Sequence, residues 1–164
     1  MPHEPLFSDA ALRISLLPSV AVYDVSGQLT VDHMLRIEKA YLQALTTSPK
    51  GVVGISLLQP GTPVATVEAR AEGARFIKDL GARVPRVAMV VESSGVSGAA
   101  LRTVIRALNV LARSQSMVVC ATAASGVAAV APILQSITGK PVDQMALLRE
   151  IEATRSIPSA AIAS

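Results

Sequence analysis

Gly51-Val52-Val53-Gly54-Ile55-Ser56-Leu57-Leu58 is an almost uninterrupted apolar run set between Pro49 and Pro60. A strand wetted on one face alternates apolar with polar residues, so a run this continuous predicts a central strand covered on both faces, as in parallel sheets. Val87-Ala88-Met89-Val90-Val91 repeats the pattern, and residues 117–121 repeat it again in Met117-Val118-Val119-Cys120. Between and after these runs, the spacing predicts helices over residues 64–80, 98–112 and 125–137, the first stopped by Gly81 and the last by Gly139.

Reading toward the N-terminus, residues 12–16 and 20–25 alternate apolar with polar and read as a hairpin turning at Pro18-Ser19. A helix over residues 31–45 follows, capped by Thr30 with Asp32 in its first turn, and its inward face is Met34, Ile37, Tyr41 and Ala44/Leu45. Toward the C-terminus, Met145, Leu148 and Ile151 mark an amphipathic helix within residues 140–154. Strands alternating with helices make this an α/β chain: a mixed, mostly parallel sheet of about five strands with four helices, plus a C-terminal helical extension. The expected organisation is a flexible tail over 1–10, one α/β domain over 11–139, and a helix and tail over 140–164.

Composition narrows the function. The 164 residues are 51% hydrophobic but only 2% aromatic, so the core must be built from Ala, Val, Leu and Ile. Fifteen basic residues against 12 acidic ones, a net charge of +3, are spread along the chain without a Lys/Arg run. With almost no aromatic platforms for stacking bases, nucleic-acid binding is not expected. Residues 114–139 carry no charge over about the length that crosses a bilayer, but they hold Ser, Thr, Gln, Gly and Pro, and read as strand then helix rather than a membrane span. Met1-Pro2-His3-Glu4-Pro5 is not a signal peptide, and a cytoplasmic location is the expectation. Cys120, the single cysteine, reads as a small buried hydrophobe.

Catalytic candidates are scarce. His3 and His33 are the only histidines and both read as solvated surface residues; no HExxH, CxxC or paired-histidine spacing occurs. No metal or cofactor is expected, and the chain reads as a non-enzyme. Glu92-Ser93-Ser94-Gly95-Val96-Ser97-Gly98 has the strand-to-helix context of a phosphate loop, yet it lacks the P-loop lysine and the dinucleotide fingerprint, which leaves a helix capped by Ser94 or Ser97. Arg102, Arg106 and Arg113 fall on one face of the helix over 98–112 as its spacing continues, a stripe suited to an acidic partner or simply a solvated side.

The order of elements, together with Val25-Ser26-Gly27-Gln28-Leu29-Thr30, resembles the STAS-like domains, the anti-sigma-factor antagonists and the related SpoIIAA-like group, over roughly residues 12–139. In that family a V-x-G-x-L/I-T phrase precedes the first helix. Glu92-Ser93-Ser94-Gly95-Val96 is similar to the family's Asp-Ser-Ser-Gly-Leu phosphoacceptor loop, with Glu in place of Asp. The resemblance implies a bacterial regulatory module without enzymatic activity, with Ser93 or Ser94 as phosphoacceptor and Glu92, Gly95, Ser97, Arg102, Arg106 and Arg113 toward a protein partner. Counting elements instead sets the phosphoacceptor position within residues 59–66, where no Asp-Ser-x-Gly phrase stands. The SpoIIAA-like group, which resembles lipid-binding CRAL-TRIO domains in topology, suits the length better. Two further expectations come from the residues. The shortage of large side chains in so aliphatic a core suits a carrier or sensor of a lipid or other apolar small molecule. The segment 142–151 and the apolar tail 157–163 pack on the core or on a second copy, which makes a homodimer plausible.

Overall fold

The computed structural model describes residues 4–155. Six strands form one sheet whose spatial order is their order in the chain: β1 (Phe7–Ser8), β2 (Leu12–Leu17), β3 (Val20–Val25), β4 (Val53–Leu58), β5 (Val87–Val91) and β6 (Met117–Cys120). The first three pair antiparallel and the remaining pairs are parallel. Five helices complete the fold: α1 (Val31–Thr47), α2 (Val67–Leu80), α3 (Gly95–Leu111), α4 (Ala123–Thr138) and α5 (Gln144–Arg155). The uncharged stretch 114–139 divides into β6 and α4, and none of the described helices is long and apolar enough to cross a membrane.

Alternation along each strand divides the core into two halves. Tyr23, Val25, Leu58, Val87 and Val91 face α1, α2 and α3, whereas Val20, Val22, Ile55, Leu57 and Val90 face α4 and α5. All six residues of β4 are buried, which is why its sequence carries no polar rhythm. The halves differ in kind: Tyr23, Tyr41, Phe76, Met34 and Met117 all belong to the first, and the second is wholly aliphatic apart from a half-buried Cys120.

Local chemistry sets the helix starts. Thr66 accepts a hydrogen bond from the Ala69 amide at 3.1 Å, and Thr122 one from the Ser125 amide at 3.1 Å, so α2 begins later and α4 earlier than the sequence pattern predicts. The α1 face holds as read, with Met34, Ile37, Tyr41 and Ala44 all buried. At its far end α3 closes in a Schellman arrangement: the Ser114 amide donates to the Asn109 carbonyl at 2.9 Å and the Arg113 amide to Val110 at 3.1 Å. Arg113 adopts a left-handed φ of 49° outside the helix, so the basic stripe expected on α3 shrinks to Arg102 and Arg106.

The stretch read as a tail is ordered within its described part. Phe7 and Ser8 pair with Ile14 and Arg13, and Asp9 binds the Ala11 and Leu12 amides at 2.8 Å each. Asp9 also meets His33 Nε2 at 2.6 Å, while the Thr30 amide donates to His33 Nδ1 at 3.1 Å. His33 is therefore not a solvated surface residue. It is 8% exposed and ties the first strand to the start of α1, with Phe7 edge-on to its ring. The C-terminal helix also packs on its own chain, burying Leu147 and Ile151 beside α4. The expected apolar tail, 157–163, lies outside the described residues.

Burial works to raise the Asp9 pKa, but hydrogen bonds from His33 and the Ala11 and Leu12 amides outweigh it and hold the carboxyl below its ordinary value. A depressed carboxyl pKa contributes stability above the unfolded value of about 4 and loses it as pH falls through the folded value. Asp9→Asn is thus expected to destabilise the protein at neutral pH. In thermal unfolding across pH, the gap to the parent should close as pH falls below about 4; a constant gap would show that the carboxylate charge is not what matters.

Candidate functional site

In an open parallel sheet the loops leaving the carboxyl ends of the strands gather at one edge, the usual place for a ligand or partner. Here that edge collects Asp24 near the end of β3, Gln59 after β4, and residues 92–94 after β5. Its carboxylates are engaged within the chain. Gln59 Nε2 donates to Asp24 Oδ1 at 2.8 Å, and Arg155, at the end of α5, binds Glu92 Oε1 at 2.7 Å. Arg13, opposite Asp24 in the β2–β3 ladder, donates to the Thr154 carbonyl at 3.0 Å and so caps the last turn of α5. These contacts fasten α5 across the strand ends.

The two serines that sequence reading leaves as equals are separated by the fold. Ser93 is 4% exposed; its hydroxyl accepts from the Gly61 amide at 3.0 Å and donates to the Gln59 carbonyl at 3.4 Å. It therefore stitches the 92–94 loop to the 59–62 loop, which brings together the two stretches on which a phosphoacceptor position is expected. Ser94 is exposed, sits at the N-cap of α3, and its side chain makes no capping hydrogen bond. Gly95 follows with φ at 66°, a left-handed conformation that favours glycine. Ser97 is exposed on the next turn.

Of the other expected contact residues, Glu92 is engaged by Arg155, and Arg102 reaches back to the Ser93 carbonyl at 3.3 Å. Arg106 and Arg113 stay exposed, but only Arg106 lies on α3. Sequence reading missed the apolar character of that helix's outer side: Val96 is 88% exposed, Val110 79% and Leu111 64%. Val96, Ala100, Thr103, Ala107 and Val110 are all exposed at helical spacing and form a stripe running from Ser94 to the far end of α3.

Cys120 is half-buried rather than buried, because β6 lies at the sheet edge, and burial pushes its thiol pKa up, away from a reactive thiolate. Among the described residues no three or more His, Cys, Asp or Glu side chains are grouped to hold a metal ion.

The first turn of α3 approaches the loop closely enough to require glycine. A Cβ at Gly98 would overlap the Ser93 carbonyl oxygen and crowd the Arg102 guanidinium. Helix propensity alone favours Gly98→Ala by about 1 kcal/mol. The clash is with backbone, so the expected outcome is the reverse, a loss of about 1–3 kcal/mol in urea unfolding. A stabilised variant would mean that the loop yields freely.

No family model matches the chain, and no curated protein matches it. Among solved structures it is similar to a protein from Shewanella loihica PV-4, described as an uncharacterised member of the DUF3478 family with a SpoIIAA-like fold. The TM-score is 0.51 at 13% sequence identity, over 75% of this chain and 97% of that one. With its mixed six-stranded sheet and five helices, the chain has a SpoIIAA-like fold.

Proposed function

We propose that this protein is a non-enzymatic, cytoplasmic regulatory module that binds another protein through the outer side of α3, switched by phosphorylation of Ser94. The observation that carries the reading is the junction of an exposed, uncapped Ser94 with the exposed apolar stripe that starts at Val96. Contiguous apolar side chains on a surface helix mark interaction sites more often than scattered ones do. Ser93 is unsuited to the switch because its hydroxyl is buried and already bonded on both sides.

A phosphoryl group on Ser94 adds roughly two negative charges at a helix N-terminus, where free amides and the helix dipole hold them. The group would stand beside Val96, so it changes the charge at the head of the stripe without disturbing the core. The engagement of Glu92 by Arg155 of α5 and of Asp24 by Gln59 supports a binding rather than a catalytic role, since both carboxylates already serve contacts within the chain.

Two measurements test the reading. Intact mass of the protein from cells in different growth states should show a phosphoryl group that Ser94→Ala removes and Ser93→Ala leaves in place. Quantified binding to a captured partner should weaken at least about tenfold in Val96→Asp or Val110→Asp, as for loss of an interface anchor. Light scattering distinguishes a different protein from a second copy as that partner. Unmodified Ser94 in every state would defeat the switch, and partner binding indifferent to both aspartates would defeat the surface.

A further inference from the structure

A cavity of about 80 Å³ lies between the sheet and the α1–α2–α3 layer, and its lining contains no charged side chain. Three of its residues form a row across the sheet: Tyr23 on β3 is in register with Ser56 on β4, and Ser56 with Met89 on β5. Two of these three carry unused hydroxyls. Tyr23 is 1% exposed and its hydroxyl has no hydrogen-bond partner; the Tyr41 side chain is its polar neighbour, yet no hydrogen bond of acceptable geometry forms between them. Ser56 is the polar residue of an otherwise apolar, fully buried strand, and among the described residues its hydroxyl has no partner either. A buried hydroxyl left unbonded costs roughly 1–3 kcal/mol, so the sealed Tyr23 hydroxyl beside this cavity calls for an occupant.

The cavity shares part of its lining with the surface between α2 and α3. Met89 is in the middle of a strand with neighbours on both sides, yet it is only half-buried. A groove of about 390 Å³ runs between α2 and α3, and Leu108 borders both groove and cavity. Met34, Met89 and Met117 line the space, and methionine is the side chain best able to shift around a guest.

We propose that this cavity is a binding site for a small, uncharged, largely apolar molecule carrying one hydrogen-bonding group, which the Tyr23 and Ser56 hydroxyls receive. The uncharged lining disfavours carboxylates, phosphates and amines, because no counter-charge offsets their desolvation. The volume is about half the roughly 150 Å³ of a dry apolar cavity that accommodates benzene elsewhere, so a single ring is the upper limit of the guest and enters only as the bordering methionines shift aside. The groove shares Thr103 and Ala107 with the α3 stripe, but the cavity lining contains no stripe residue, so titration of the isolated chain tests this site without reference to the α3 reading.

The test is calorimetric titration of the full chain with phenol, benzene and benzoate. Phenol should bind more tightly than benzene, and benzoate at least about tenfold more weakly than phenol. Tyr23→Phe deletes the hydroxyl while keeping the ring, and should leave folding intact because it removes an unbonded buried group. It should weaken phenol by about three- to tenfold and leave benzene unchanged; Ser56→Ala, a smaller change, should act in the same direction. Ser56→Leu, which fills the space, should abolish both. The proposal is overturned if phenol does not bind, if benzoate binds as well as phenol, or if neither hydroxyl deletion shifts the phenol-to-benzene ratio.

Discussion

Double-sided burial of β4 is the constraint from which the remaining architecture follows. Val53, Ile55 and Leu57 present aliphatic side chains to one face while Leu58 and the Gly54 and Ser56 positions meet the other, and the entire strand is buried. Fully burying one such aliphatic side chain is worth about 1.5–3 kcal/mol, so neither face can be left open to water. The chain covers the first face with α1, α2 and α3, each a crossover to the next parallel strand in the same direction across the sheet. Crossovers of one hand moving in one direction all land on the same side. The second face is left for whatever follows β6, and α4 and α5 take it.

That arrangement also decides where polarity collects. With both faces apolar, polar side chains gather mainly at the sheet edges and strand ends, and at the carboxyl ends they appear as Asp24, Gln59, Glu92 and Ser93. Their partners are drawn from α5 and the neighbouring loop, so they clamp a helix and a turn in place. The accessible chemistry is displaced outward to Ser94 and to the outer side of α3.

What the sequence reveals and conceals follows from range. Periodic elements such as β5, read to its observed ends at Val87 and Val91, and the inward face of α1 depend on local spacing and are legible. β1 is not, because two residues carry no period; it exists through pairing with β2 and the contact of Asp9 with His33, which stands 24 positions away. Arg113 falls on the helical spacing of α3, but the helix has already ended in a left-handed residue that an arginine does not announce. Ser93 and Ser94 are the same letter in adjacent positions, and only the arrival of the 59–62 loop turns one into a buried tie and leaves the other free. The α3 stripe was hidden differently: Val96, Ala100, Ala107 and Val110 look like any core face until the helix is seen to bury the opposite side through Leu101 and Ile105.

The unequal make-up of the two core halves bears on where a guest can be held. Around α4 and α5 the packing is aliphatic, with branched side chains of few rotamers, and such a core is stiff. Around α1–α3 the three buried aromatic rings, Tyr23, Tyr41 and Phe76, stack in one corner at centroid separations of 5.3 and 6.3 Å. Rigid rings cannot tile a curved sheet without gaps, and Tyr41 reaches the sheet at all only because Gly54 has no side chain for its hydroxyl to strike. The gap beside them is bordered by methionines and floored by Ser56. β4, buried along its whole length, thus carries its single hydroxyl where the aromatic corner leaves space, which is where a guest with one hydrogen-bonding group would find both an apolar wall and a polar contact.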